Sequence, residues 1–376
     1  MRKDFYYDTI LDAANICNLK REKKLLFDGI NKNKKLAVYG SRNSGKTSLL
    51  KNVIIPKFKR TNKKTFVFFA DLMEVKSLAS INQRIQTSFE HSFAESFPHK
   101  NFLETVKHFL FNLRPKVSID SHTGRPSLTL EAEGRDKALS FLDIFQTIRE
   151  QIAPEVATLI VLDEFQDIAF VEEAQGLMRQ ALQEFKDVPF IIMGSKRHIL
   201  SQLIARPEAP LAFFGEDIEF EAIPYKEYYT YIKERFKTRE LKLEFQDAQT
   251  LQDALFRNPE AINIVCSYLC AHFSKKTIGP KQIFLAIEAV VKARQSRYEE
   301  YLSTFSAKEE NVLVALAKQG PVKQPTGKDF LRQVSVTQGY VRIVIEQFMN
   351  RSIIDKSAAG YSLGDPLLNY YLKTFR

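Results

Sequence analysis

Cysteine is scarce in this chain of 376 residues. Its three cysteines, Cys17, Cys266 and Cys270, form no C-x-x-C pair, so neither a disulfide framework nor a thiolate zinc site is expected. Cys266 and Cys270 stand four apart and would share a helix face, where packing is the simpler role. A reducing compartment, the cytoplasm, is the expected setting. Long apolar runs are missing too. No stretch approaches the ~20 residues of a membrane span, and residues 1–8 lack the hydrophobic region of a signal peptide, so no membrane association is expected. Long-period repeats and low-complexity tracts are absent. Acidic residues are sparse at one end only: residues 1–64 hold 17 Lys/Arg against 5 Asp/Glu, whereas residues 65–376 hold 38 against 40. The excess lies in Lys32, Lys34, Lys35, Lys51, Lys57, Lys59, Arg60, Lys63 and Lys64. A solvated lysine-rich face is preferred over a nucleic-acid patch there, because no aromatics interleave. What remains is an ordinary globular composition, long enough for two or three domains.

The most informative stretch is residues 36–50. It reads as a short apolar strand, a glycine-bounded loop and the start of a helix. Gly40 and Gly45-Lys46-Thr47 fit G-x-x-x-x-G-K-[ST], the phosphate-binding P-loop. A triphosphate needs many donors at close range, and a loop that glycine allows to curl supplies backbone N–H groups. The following helix adds the positive end of its dipole. Gly40, Ser41, Arg42, Asn43, Ser44, Gly45, Lys46, Thr47 and Ser48 are therefore the candidate nucleotide-binding positions. The Lys46 ammonium would reach the β- and γ-phosphates, and the Thr47 hydroxyl would ligate Mg²⁺.

Residues 158–163 are a second decisive run, largely apolar and ending in Asp163-Glu164. This fits a Walker B strand: Asp163 is the second candidate Mg²⁺ ligand, and Glu164 the base that polarises the attacking water. Gln166 and Asp167 are read as the start of the next helix, with Asp167 structural. Residues 189–195 form another buried strand. Its terminal Ser195 is a candidate γ-phosphate sensor, or alternatively the cap of the helix at 196–203. Further strands are expected at 64–71, whose continuous apolar run suits a parallel sheet covered on both faces, and at 217–223. A β-hairpin near 116–131 turns through residues 121–126. Helices are expected over 5–30, 46–55 (ended by Pro56), 77–113, 137–153 and 172–186.

After Pro224 the pattern becomes all helical to about residue 301, as a small lid would be. Residues 302–376 then read as three helices and a two-stranded wing, a winged helix-turn-helix. Three domains follow: 1–223, a P-loop ATPase domain with an N-terminal helical arm and the inserted hairpin; 224–301, the lid; 302–376, the winged helix. In the third helix, residues 337–351, Thr337, Gln338, Tyr340 and Arg342 would face a DNA groove, with Val341, Ile343, Val344, Ile345 and Phe348 mostly core. Residues 301–376 carry only 10 Lys/Arg against 6 Asp/Glu.

Taken together these residues resemble the archaeal-type ATPases of the AAA+/STAND side of the P-loop superfamily, which are similar to origin-recognition ATPases. The matching positions are Arg21-Glu22 before the first strand, the P-loop through Ser48-Leu49-Leu50, Asp163-Glu164-Phe165-Gln166, Gly194-Ser195, and Asn258-Pro259 in the lid. The resemblance implies an α/β P-loop NTPase with a parallel sheet, a helical lid and a C-terminal winged helix. It also implies ATP and Mg²⁺ as cofactors, with Arg21 among the nucleotide-binding residues and Lys46, Glu164 and Ser195 in the catalytic set. The chain departs from the pattern at Asn43, where the family has a second arginine, and at Glu216, which follows Gly215 in place of arginine. In the lid, Arg257 replaces glycine and Glu260 stands near the place of a second sensor; neither Arg257 nor Arg206 is assigned as a substitute. The expected function is a nucleotide-controlled switch with slow hydrolysis. The alternative is a DNA-binding ATPase in replication, transposition or regulation. The implied partners are ATP and ADP, with double-stranded DNA, a protein partner or self-assembly engaging the winged helix or the ATPase face.

Overall fold

The structure is a computed structural model. It describes residues 4–97, 102–111, 113–119, 126–130, 140–195, 197–204, 209, 211–212, 214–357 and 359–376. The chain divides into two compact units: Lys20–Ser41 with Lys46–Phe220, and Met1–Leu19 with Arg42–Gly45 and Glu221–Arg376.

The first unit is built on strands β1 (Lys35–Tyr39), β2 (Thr65–Asp71), β5 (Ala157–Asp163), β6 (Phe190–Gly194) and β7 (Glu216–Glu219), with a separate hairpin of β3 (Pro115–Ile119) and β4 (Pro126–Leu130). The five run parallel in the order β2-β5-β6-β1-β7. Their sequences explain the arrangement. β6 is buried throughout and β5 nearly so, as strands covered on both faces must be. β7 carries exposed Glu216 and Asp217, charges that blunt a sheet edge. Phenylalanine fills the core: Phe66 and Phe68 of β2 meet Phe89 of the helix Leu78–Ser96 at 5.9 and 6.4 Å, and Phe145 lies 5.9 Å from Phe68. Tilted and edge-on pairs of this kind add about 0.5–1.5 kcal/mol each beyond area burial.

The register decides where function can sit. Tyr39 pairs with Gly194, and Asp71 with Asp163. The carboxyl ends of four strands therefore share one edge, where open α/β sheets bind ligands. β6 lies between β1 and β5, so the residue after Gly194 falls between the P-loop and the Walker B carboxylates.

The helix after the P-loop does not end at Pro56. It runs as Lys46–Leu49, a wider turn Leu50–Ile54, and Ile55–Thr61. The wide turn is the reason: the Ile55 N–H bonds to Leu50 O, five residues back, which shifts the ladder just before a residue that lacks an N–H and crowds the preceding turn. The expected helix at 77–113 is two helices, Leu78–Ser96 and Phe102–Phe109. The hairpin is antiparallel, with Val117 opposite Leu128; most of its expected turn, residues 121–125, lies outside the described residues.

In the second unit, helices Tyr225–Phe236, Phe245–Ala254, Pro259–His272 and Pro280–Lys292 are joined by a short parallel pair, β8 (Lys242–Leu243) and β9 (Thr277–Ile278). Asn258 caps the third of them, accepting from Ala261 N at 3.0 Å. Burial pushes the thiol of Cys266 up, and that of Cys270 to about 11, consistent with packing residues. The helices Ala307–Gln319, Lys328–Val334 and Gln338–Asn350 then precede an antiparallel wing, β10 (Ile354–Ser357) and β11 (Gly360–Leu363). A last helix, Pro366–Phe375, packs on Ala307–Gln319 and on Pro280–Lys292. Sequence reasoning missed it, although Asp365 with Pro366 is a helix-start signal; the Asp365 carboxylate accepts from Leu367 N and Leu368 N. Among the described residues no helix is long and apolar enough to cross a membrane.

The N-terminal arm is not helical over 5–30; the helix is Lys20–Asn31. The preceding residues give their carbonyls to buried side chains instead. Arg235, 3% exposed, donates from Nε to Asp4 O at 3.1 Å and from Nη2 to Asn15 Oδ1 at 3.0 Å, and stacks 3.4 Å over the Tyr231 ring. Asn263 donates to Tyr6 O at 2.8 Å, and the Tyr231 hydroxyl to Asn15 O at 3.3 Å. A helix would have claimed these backbone carbonyls internally, taking an acceptor from each of Arg235, Asn263 and Tyr231, a cost of buried polar groups that opposes it. Arg235→Ala is expected to destabilise this unit by about 3 kcal/mol in urea unfolding. Arg235→Lys should recover little, because an ammonium cannot reproduce the fork and the stack.

Candidate functional site

The loop after β1 curls at two residues of positive φ, Asn43 at +60° and Gly45 at +91°. Asparagine tolerates that region and glycine favours it. The curl lets Lys46 fold back over its own loop, where Nζ donates to Gly40 O and Ser41 O, both at 2.9 Å. Lys46 is 6% exposed, so the charge needs those acceptors. The next residue reaches the sheet: Thr47 Oγ1 donates to Asp163 Oδ2 at 2.7 Å. Ser48 is buried behind it. The two candidate metal ligands are thus adjacent, and both offer hard oxygens of the kind Mg²⁺ takes. Burial pushes the Asp163 carboxyl up; the Thr47 hydrogen bond opposes this, and the charges of Glu164 and Asp71 add to the rise.

Glu164 has φ +48° and ψ +37°, an uncommon left-handed conformation for a residue with a side chain. It turns the chain off the end of β5, and its N–H donates to Asp163 Oδ1 at 3.0 Å. Its carboxylate Oε2 accepts from Ser195 Oγ at 2.9 Å and from Gln166 Nε2 at 2.6 Å. Ser195 therefore reaches Glu164, as its place after β6 suggests. Gln166 is not simply the start of a helix. It is wholly buried, and the D-E-F-Q spacing was the only signal for it. Asp167 is structural, as read: its Oδ2 accepts from Glu74 N at 2.8 Å. Asp71, at the end of β2, is a further acidic neighbour of Asp163.

Arg21 lies at the start of the helix Lys20–Asn31, paired with Glu22 at 3.4 Å and donating to Glu219 O of β7 at 3.1 Å. Within the unit that includes Arg42–Gly45, the Asn43 amide hydrogen-bonds Glu260, in the first turn of Pro259–His272. The Glu260 carboxyl is raised, by burial first; the Asn43 bond lowers it, and Asp8 and Asp365 raise it further. Arg257 is engaged elsewhere, donating to Ala222 O and Ile223 O at 3.2 and 2.6 Å with its guanidinium 4.3 Å over Tyr225. Arg206 lies outside the described residues.

The lysine-rich segment is mostly solvent-facing, with Lys32, Lys51, Lys57, Arg60, Lys63 and Lys64 exposed, though several of its cations have local partners. Lys35 donates to Leu182 O, Lys34 pairs with Glu216, Lys59 pairs with Glu95, and Lys51 and Lys57 stack on Phe69 and Phe27. In the helix Gln338–Asn350, Val341, Val344, Ile345 and Phe348 are core, but Ile343 is 57% exposed beside exposed Arg342, contrary to its expected burial. Three and four residues separate core positions here, and residue 343 falls on the outer face between them.

The comparisons with known proteins agree with this architecture. A family model described as a probable winged helix domain matches residues 296–374. No curated protein matches the chain. Among solved structures, the Walker-type ATPase of Pyrococcus abyssi superposes with a TM-score of 0.65 at 15% identity, covering 98% of this chain and 99% of that one. The ORC2 protein of Aeropyrum pernix, in its ADPNP–ADP complexes, superposes with a TM-score of 0.52 at 14% identity, covering 98% and 95%. Likeness at these identities is a likeness of fold. The chain thus shares its fold with these two proteins, an α/β unit with a parallel sheet, and residues 296–374 match a winged helix domain.

Proposed function

We propose that this protein binds ATP with Mg²⁺ and hydrolyses it slowly, as a nucleotide-controlled switch. The observation that carries the reading is the 2.7 Å hydrogen bond between Thr47 and Asp163, which joins the two Mg²⁺-ligand types beside the Lys46 ammonium. Mg²⁺, when bound, neutralises charge on the β- and γ-phosphates. Lys46 exchanges the Gly40 and Ser41 carbonyls for phosphate oxygens. Glu164 accepts the proton of the attacking water. The Ser195 hydroxyl, which donates to Glu164, is the group for which a γ-phosphate competes, so it can report the nucleotide state to the base. Arg21, Arg42, Asn43, Ser44 and Ser48 complete the nucleotide contacts.

Slow turnover follows from missing cations. Asn43, Glu216 and Glu260 stand where arginines would stabilise the transferring phosphoryl group, and Arg257 is committed to carbonyls. The switch follows from Asn43: its amide is tied to Glu260, so a change in the loop backbone reaches the helix Pro259–His272 directly. Isothermal titration with ATP and Mg²⁺ should give micromolar binding, weakened at least tenfold by Lys46→Ala. Steady-state hydrolysis should run on the order of 10⁻⁴–10⁻² s⁻¹, the range of P-loop enzymes without a stimulating partner. Absence of micromolar binding would end the reading, and unaided turnover of tens per second would end its slow-switch part.

A second reading is a DNA-binding ATPase in replication, transposition or regulation. It is favoured by the exposed Gln338 and Arg342 on one helix and the exposed Lys356 on the wing. Duplex DNA should then be retarded in a gel, less so as salt rises, with Arg342→Ala weakening the shift. No retardation at roughly 50 mM salt would leave the winged helix as a protein-docking or self-assembly module. A cytoplasmic location fits both readings.

A further inference from the structure

Gln166 holds a position that a helix-starting residue does not need. It is fully buried, and its side chain turns back toward the residue two before it. Nε2 donates to Glu164 Oε2 at 2.6 Å and to Asp167 Oδ1 at 3.2 Å. The amide can face only one way, because the flipped form would set its carbonyl oxygen against two carboxylates. Asp167 in turn accepts from Glu74 N after β2, so the amide is anchored on the side away from Glu164 as well.

The space for this amide comes from Gly194. A Cβ at residue 194 would lie 2.4 Å from Gln166 Oε1 and 3.2 Å from Leu200 Cδ2. The glycine that ends β6 is thus matched to Gln166 and not to a backbone angle. Gln166 Oε1 is itself buried without a hydrogen-bond partner among the described residues, so the glutamine is held there despite an unsatisfied acceptor. A purely packing role would be served better by an apolar side chain of the same length.

We infer that Gln166, admitted by Gly194, is a positioning residue for hydrolysis. Its bond to Oε2 of Glu164, which remains when a γ-phosphate competes for the Ser195 hydroxyl, stops rotation of the carboxylate and leaves Oε1 as the oxygen presented to water. In the reaction the water oxygen bonds to the γ-phosphorus, the bond from that phosphorus to the ADP oxygen breaks, and the water proton passes to Glu164 Oε1. Gln166 takes no part in these bond changes. The inference rests on the proposed ATPase reading, since Glu164 must be the base for its orientation to matter.

The test uses the full chain and four variants: Gln166→Ala, Gln166→Met, Gly194→Ala and the Gln166→Ala/Gly194→Ala double. ATP affinity is measured by titration, kcat at saturating ATP·Mg²⁺, and folding by thermal melting. Gln166→Met keeps the volume without the donor, and so guards against loss of fold. Each single variant should lower kcat about 10-fold or more, part of the ~10²–10⁴ that a positioned base supplies, while the Kd for ATP changes less than threefold. The double variant should match Gln166→Ala within about twofold, because alanine at 166 removes the 2.4 Å clash and leaves the new methyl group only the looser 3.2 Å approach to Leu200 Cδ2. Three outcomes overturn the inference alone: Gln166→Met retaining kcat within twofold, a loss confined to Kd, or independent losses that multiply in the double variant. A wild type that binds ATP but never hydrolyses it, or that fails to bind, overturns the ATPase reading and this inference with it.

Discussion

The hydrogen bond from Thr47 to Asp163 joins two strands that are not neighbours. β6 separates β1 from β5, so the first turn after the P-loop must span roughly 10 Å, two inter-strand spacings, to touch the Walker B carboxylate. Everything else in the site accommodates that crossing. β6 ends in glycine, Ser195 follows with a short hydroxyl, and the helix begun at Lys46 starts within reach of Asp163. Parallel register then fixes the rest, since Asp71 pairs with Asp163 and Tyr39 with Gly194. A one-residue slip in β5 would turn Asp163 to the other face of the sheet and leave Thr47 facing an apolar side chain.

A second constraint is how the chain disposes of its cations. Lys46 lies on the carbonyls of its own loop, which keeps a buried ammonium satisfied. The arginines behave differently. Arg235 and Arg257 are bound to backbone carbonyls and stacked on tyrosines, arrangements that hold architecture together. Both give the guanidinium several acceptors and an aromatic face, which a stabilising role requires and a mobile catalytic one does not.

Much of this was legible in the sequence because it depends on local spacing. The P-loop, the acidic pair closing an apolar strand, and the Gly-Ser pair closing another all carry their chemistry within a few residues, and parallel pairing brought them to one edge. The hairpin and the wing were readable from period-two alternation. What escaped depended on partners far along the chain. The arm up to Leu19 has helix-like apolar spacing, yet its carbonyls serve residues more than 200 positions away. The helix through Pro56 persists because a wide turn before it removes the clash. Gln166 looked like a helix start because its meaning lies in Gly194, on another strand. Ile343 was assigned to the core from its apolar neighbours, although helical geometry turns it outward.

The buried Arg235 has a consequence for how the chain is made. Its acceptors, Asp4 O and Asn15 Oδ1, leave the ribosome more than 200 residues before Arg235 itself. The arm cannot make these bonds until the helices Tyr225–Phe236 and Pro259–His272 exist to receive it. The α/β unit, contiguous from Lys20 to Phe220 except for four loop residues, can complete its sheet in the meantime. A segment made more than 200 residues before its partner is thus among the last to find its place, and such late, non-local closure is a step at which chains fold slowly or go astray.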